Sequence, residues 1–186
     1  FQDYIEASEG VEGWLSPESA GAWDSLLGFQ ERSGVEGDFL EIGVWHGKSA
    51  LLSTMHSREN ERCIFVDVAI REDAKKIIGN VKAQNTFFIQ AKSGQILHSK
   101  VLFERGSENF RWIHIDGAHT GQQVSGDLKL ADLLLGEHGV VAVDDFMNVM
   151  YPQVTASVFE FLMNNRGRLS LFLCGFNKGY LIRPLA

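Results

Sequence analysis

Three short segments hold the residues whose types and spacing could do chemistry. The first, Glu41-Ile-Gly43-Val-Trp-His-Gly47-Lys-Ser49, sets two glycines between an acid and a hydroxyl. Glycine lets backbone approach a ligand closely, and a helix opening at Lys48 would offer free N–H groups. The segment lacks the glycine spacing of the dinucleotide fingerprint G-x-G-x-x-G. It also misses the phosphate-cradling P-loop, which needs four residues between its glycines where three separate Gly43 from Gly47. The pattern E/D-x-G-x-x-x-G fits without adjustment, with an ordinary strand-to-helix turn as the plain alternative. The second segment ends on Asp67, twenty residues beyond Gly47. A carboxylate there can accept hydrogen bonds from both ribose hydroxyls of a nucleoside, or simply cap a helix.

The third is a pair of strand ends. Ile113-His-Ile-Asp116-Gly-Ala-His119 and Val140-Val-Ala-Val-Asp144-Asp145 each finish an apolar run with acid. In a parallel sheet such ends are neighbours. Three converging carboxylates repel one another without a cation, and oxygen-only donors favour a hard ion such as Mg²⁺. Caps on metal-free loops are the alternative. His119, three residues past Asp116, is of a type suited to removing a proton near neutral pH, and a metal would ease that task. A loop-holding histidine is the plainer reading. His46 reads as a ligand-edge or packing residue, and the remaining histidines have no ligating spacing. Trp14, Trp23, Trp45 and Trp112 read as core or rim packing.

Positioning these segments requires strands that end where the acids stand. Short apolar runs alternate with helical patterns, which predicts βαβ units and a parallel sheet. Strands are predicted over 39–42, 62–68, 86–91, 111–116, 139–143, 169–174 and 180–183. Helices are predicted over 16–32, from Lys48 to about Met55, and over 71–84, 93–103, 124–135 and 152–165. Ser16-Pro17-Glu18 gives the first of these an N-cap, a proline at its first position and an acid in its first turn. Run 139–143 is nearly all valine and alanine, so it should be buried on both faces. Asn177-Lys178-Gly179 predicts a tight antiparallel hairpin. Open sheets of this kind bind ligands beyond the C-terminal strand ends, at the switch in strand order.

With 186 residues the chain is long enough for one domain with a sizeable core, and 45% hydrophobic with 22% charged residues is ordinary for a globular protein. A net charge of -7 argues against a nucleic-acid partner bound through phosphates. No apolar run reaches the roughly 20 residues of a membrane span, and no signal peptide is visible. Cys63 and Cys174 each lie in an apolar run and are expected to be buried, reduced thiols, which suits the cytoplasm. A chain beginning at Phe1 rather than Met is expected to be an excised domain or processed product, part of a longer chain, and a homodimer is the other expected assembly.

Together, residues 39–50, Ile115-Asp-Gly-Ala-His119 with Val124 and Asp127-Leu128, and Gly139-Val-Val-Ala-Val-Asp-Asp-Phe146 resemble one family. It is the class I methyltransferases related to macrocin and mycinamicin sugar O-methyltransferases and to cephalosporin hydroxylase-associated proteins. The resemblance implies a Rossmann-like three-layer α/β sandwich, residues 1–186, with a seven-stranded, mostly parallel sheet in the order 3-2-1-4-5-7-6. Residues 1–35 would form a helical cap. It implies S-adenosylmethionine bound by Glu41, Gly43, Gly47, Ser49, Asp67 and Asp116, the glycines flanking its methionine portion and Asp67 on its ribose. It implies Mg²⁺ on Asp116, Asp144 and Asp145, His119 as general base, and a small-molecule acceptor that is hydroxylated, such as a sugar. A binding or interaction domain without methyl transfer, and a P-loop nucleotidase, are the competing expectations.

Overall fold

Strand-forming runs and amphipathic helices alternate along the chain, and they assemble into three layers. The computed structural model describes residues 1–184. Its strands are β1 (Asp38–Ile42), β2 (Cys63–Asp67), β3 (Thr86–Gln90), β4 (Phe110–Ile115), β5 (Leu135–Asp144), β6 (Ser170–Gly175) and β7 (Lys178–Ile182). Its α-helices are α1 (Gln2–Ala7), α2 (Pro17–Arg32), α3 (Lys48–Met55), α4 (Glu72–Val81), α5 (Lys100–Phe103), α6 (Gly121–Leu134) and α7 (Pro152–Asn164). The sheet order is β3-β2-β1-β4-β5-β7-β6, as expected, with β7 alone antiparallel to its neighbours β5 and β6.

Side chains alternate across a strand, so each strand feeds two cores. Leu40, Ile42, Ile113, Ile115, Val141 and Val143 pack beneath α6 and α7, against Leu128, Ala131, Val154 and Val158. Phe39, Phe65, Trp112, Ala142 and Tyr180 pack beneath α1 to α4, against Tyr4, Trp23, Leu51 and Ile78. Trp23 meets Trp112 edge-on with ring centres 5.0 Å apart. Both are fully buried, each contributing on the order of 3 kcal/mol of hydrophobic stabilisation. Ser16 caps α2 by accepting the Ser19 N–H, with Pro17 at the first helical position.

Several boundaries differ from the sequence expectation, each for a local reason. The 93–103 segment is not one helix: a 3₁₀ turn, Ser93–His98, and the single turn of α5 meet at Ser99, whose backbone is extended. Helix α6 stops at Leu134, and β5 begins at once; Gly136 lies inside the strand, where a register break sets Phe110 opposite Leu135 and Trp112 opposite Val140. The hairpin turn is Phe176-Asn177, both at positive φ (53° and 65°), the twist-matched primed geometry. Lys178 therefore belongs to β7 rather than to the turn. Cys63 is buried as expected, but Cys174 is exposed, because β6 is the sheet's edge and part of its surface is uncovered. No helix among the described residues is long and apolar enough to cross a membrane.

At the N-terminal ends of the strands, two buried ion pairs close the sheet's floor. Arg62 donates from Nε to Asp38 at 2.7 Å, and Arg111 donates from Nε to Glu61 at 2.8 Å. The opposite, C-terminal rim is open.

Candidate active site

The strand order reverses between β1 and β4, and their two ends part over a cleft of about 720 Å³. Gly43, Asp67, Asp116, His119, Asp144 and Asp145 all line it. Glu41, Gly47 and Ser49 do not. Glu41 is buried beneath the cleft floor, where its Oε1 accepts the Ser49 hydroxyl at 2.5 Å. Gly47 starts α3 at φ 85°, and a Cβ there would meet Ala74 of α4 at 3.3 Å. These three residues build the turn beside the cleft. Lys48 also turns away, its Nζ 3.5 Å from the Gly13 carbonyl, so no P-loop lysine is present.

Gly43 has a structural reason to be glycine. Its φ is 89°, and a Cβ would stand 1.8 Å from the Asp116 carbonyl oxygen. The close approach is between β1 and β4 backbone at the switch point, not between backbone and ligand space.

Asp67 clamps the turn. Its Oδ2 accepts the N–H groups of Val44 (2.7 Å) and Trp45 (3.2 Å), and its Oδ1 accepts that of Ala69 (3.0 Å). A carboxylate has about four acceptor positions, so one remains on a residue that lines the cleft. At the cleft mouth Trp14 and Trp45 lie 6.1 Å apart, and the Arg71 guanidinium sits 4.1 Å over the Trp45 ring. Trp23 and Trp112 are core. His46 ties the turn to α4 through Asp73 and to Glu12 at 3.4 Å.

The three acids expected to share one cation divide into two groups. His114, Asp116 and Asp144 form one, and Asp116, His119 and Asp145 the other; within each, one ligand atom per residue lies within 4.8 Å of the rest. Asp144 Oδ2 is paired with the ammonium of Lys178, and its Oδ1 accepts the Asp145 N–H at 2.8 Å. Period-two alternation puts Glu41, His114, Asp144 and Lys178 on one face of the sheet, in a row under Trp23 that is buried except at Asp144, which reaches the cleft. Burial disfavours a charged His114 ring, but Asp144 and Glu41 outweigh it and raise the group to about 9. Burial would raise Asp144, yet the positive charges of His114 and Lys178 hold it well below the usual carboxylate range. Burial, then the charge of Asp144, push Asp116 up to about 8.

His119 stands on the cleft wall. Its Nε2 is 2.6 Å from Asp145 Oδ2, a close contact rather than an aligned hydrogen bond. Its ring stacks on Tyr151 at 4.0 Å and 14°. Asp145 is fixed in turn by the side-chain amides of Asn148 (2.6 Å) and Asn177 (2.7 Å), which donate to its Oδ1. The sequence reading missed Lys178, Tyr151, Asn148 and Asn177. Only strand register and the path of the 145–151 loop bring them here, and neither leaves a spacing signal.

A reversed-order seven-stranded sheet, with a glycine turn and strand-end acids around one cleft at its switch point, defines the class I methyltransferase fold. Residues 40–146 match the family model described as "Methyltransferase domain", and the chain belongs to that family. It is an S-adenosylmethionine-dependent methyltransferase. A search of curated protein sequences finds no match. Among solved structures, the calicheamicin-pathway TDP-rhamnose 3'-O-methyltransferase CalS11 is similar at a TM-score of 0.70 and 14% identity, over 90% of this chain and 81% of that one. The O-methyltransferase NovP is similar at 0.67 and 16%, over 88% and 78%. MycE of the mycinamycin pathway, solved with Mg and SAH, is similar at 0.68 and 14%, over 97% of this chain and 54% of that one. At these identities the likeness is one of fold.

Proposed function

We propose that this chain transfers the methyl group of S-adenosylmethionine to a hydroxyl oxygen of a small acceptor, with sugars the first class to try. One observation carries the reading: the glycine turn with Asp67 and the His119–Asp145 pair line the same cleft. Asp67 keeps an acceptor position for the ribose while holding the turn in shape. Asp145, fixed by two amides, and Tyr151, stacked on the ring, orient His119 so that Nδ1 is the nitrogen left for the acceptor. His119 takes the hydroxyl proton there as the oxygen forms its bond to the methyl carbon. The carbon–sulfur bond breaks in line, S-adenosylhomocysteine leaves, and the proton passes from His119 to water. The neighbours' printed names, which include a sugar O-methyltransferase, support the acceptor class.

The donor set fits a cation only in part. Asp144 is committed to Lys178, whereas the Asp116 side chain accepts no hydrogen bond among the described residues and lines the cleft with Asp145. Asp116 and Asp145 are the residues that would hold Mg²⁺, which accepts as few as one or two carboxylates. Bound there, the ion would lower the pKa of an acceptor hydroxyl.

Calorimetry with S-adenosylmethionine and with ATP, followed by an acceptor screen for S-adenosylhomocysteine, tests the proposal. Binding of the first nucleoside alone and product with a hydroxylated acceptor are expected. His119→Ala should bind the cofactor normally and turn over about 10²–10⁴ times more slowly. Wild-type turnover in that variant would remove His119 from the mechanism, and binding without product for any acceptor would favour a non-catalytic domain.

A further inference from the structure

The row of Glu41, His114, Asp144 and Lys178 does nothing in the methyl transfer described above, yet it touches the acidic rim. Lys178 is its least expected member. A lysine is rarely this buried, at 2% exposure, unless an anion meets it. Its place is fixed by the backbone: Lys178 on β7 is the direct cross-strand partner of Asp144 on β5. Directly opposed antiparallel residues have Cβ atoms about 5 Å apart, so the pair forms without a choice of rotamer at long range. The face of Trp23 stands 5.7 Å from the ammonium.

We propose that Lys178 is a resident cation of the rim, which keeps Asp144 as its ion-pair partner and withdraws that carboxylate from any divalent-cation ligand set. Both oxygens of Asp144 are then engaged, one by Lys178 and one by the Asp145 N–H. A divalent ion drawn to Asp144 meets an ammonium that cannot swing into solvent. Asp116, whose side chain accepts no hydrogen bond among the described residues, is left as the carboxylate open to such an ion, with Asp145 beside it already shared among Asn148, Asn177 and His119. The proposal rests on reading this rim as a divalent-cation site. It predicts that Asp144, although it sits at the strand end where a ligand is expected, contributes little to cation affinity.

The test is Mn²⁺ titration of the full chain, followed by electron paramagnetic resonance of the free ion, without cofactor. Removing the whole pair, in Lys178→Met/Asp144→Asn, should leave Mn²⁺ affinity within about threefold of wild type, since Asp144 adds no ligand charge. Lys178→Met frees the carboxylate and should raise affinity by about tenfold or more, as expected when ligand charge increases. That gain should vanish in Lys178→Met/Asp144→Asn. Thermal unfolding gives a second readout: Lys178→Met should be destabilised and regain stability with Mn²⁺, while the wild type responds less. A tenfold loss in Lys178→Met/Asp144→Asn relative to wild type, or unchanged affinity in Lys178→Met, would overturn the proposal. Should Lys178→Met fail to fold, the comparison of Lys178→Met/Asp144→Asn with wild type decides alone. Absence of Mn²⁺ binding in both backgrounds overturns the cation site and the proposal together. S-adenosylmethionine calorimetry on the same samples then reports separately on methyl transfer.

Discussion

Replacing Gly43 with alanine separates a glycine required by a ligand from one required by the fold. The added Cβ would lie 1.8 Å from the Asp116 carbonyl oxygen, where ordinary contact begins near 3.4 Å. The obstacle is backbone, so no side chain can swing aside. Either the end of β1 or the β4 exit must move by more than an ångström, against hydrogen bonds from Gly43 N to Val66 O and from Asp116 N to Ile42 O, both 2.8 Å. The left-handed backbone adds about 1 kcal/mol for any L side chain. Two strained or broken backbone hydrogen bonds add about 1–3 kcal/mol each, giving a loss on the order of 3–7 kcal/mol. Gly47→Ala is the control: its φ of 85° carries the same backbone cost, but its nearest neighbours are Ala74 atoms at 3.3 Å, which can give way. A loss near 1 kcal/mol is expected there. Urea unfolding of the two variants without cofactor measures both numbers. Equal stabilities, or a Gly43→Ala protein as stable as wild type that merely fails to bind cofactor, would refute the reasoning.

Asp67→Ala removes three backbone hydrogen bonds from the glycine turn as well as the ribose acceptor. Its cofactor affinity should fall by about tenfold or more, at roughly 1.5–3 kcal/mol for a charge-assisted bond; unchanged affinity by calorimetry would remove it from the site. Arg62→Ala leaves buried Asp38 with only the part-exposed Arg105 as a cationic partner, and chemical denaturation should show a loss of about 1–3 kcal/mol. The thiols should divide by position. Burial pushes Cys63 up to about 11, so it stays a protonated, shielded thiol at pH 8, while exposed Cys174 reacts. A native thiol titration should therefore count one fast cysteine at pH 8 and two after denaturation; two fast cysteines in the native protein would contradict the burial of β2.

Much of this protein is legible from its residues in order. The βαβ alternation, the glycine turn, and acids at the ends of β2, β4 and β5 all follow from local rules of periodicity and strand length. So does the placement of Asp67, Asp116, His119, Asp144 and Asp145 on one rim, because parallel strands end together. The limits are equally local. Gly136 reads as a helix stop, but it sits inside β5 because pairing with β4 outweighs its weak intrinsic preference. Cys174 reads as core because its run is apolar, but being at a sheet edge is a property of strand order, not of the run.

Which carboxylate meets which cation was decided only by tertiary structure. Asp144 and Asp145 are adjacent in the chain and look alike there. Yet the left-handed turn at Asp145, φ 54°, sends it to His119, Asn148 and Asn177, while Asp144 keeps the strand's alternation and faces Lys178. Lys178 lies 34 residues further along and reads as a turn residue beside Gly179. Charge pairing depends on distances set by the register of β5 against β7, and register depends on the packing of the whole sheet.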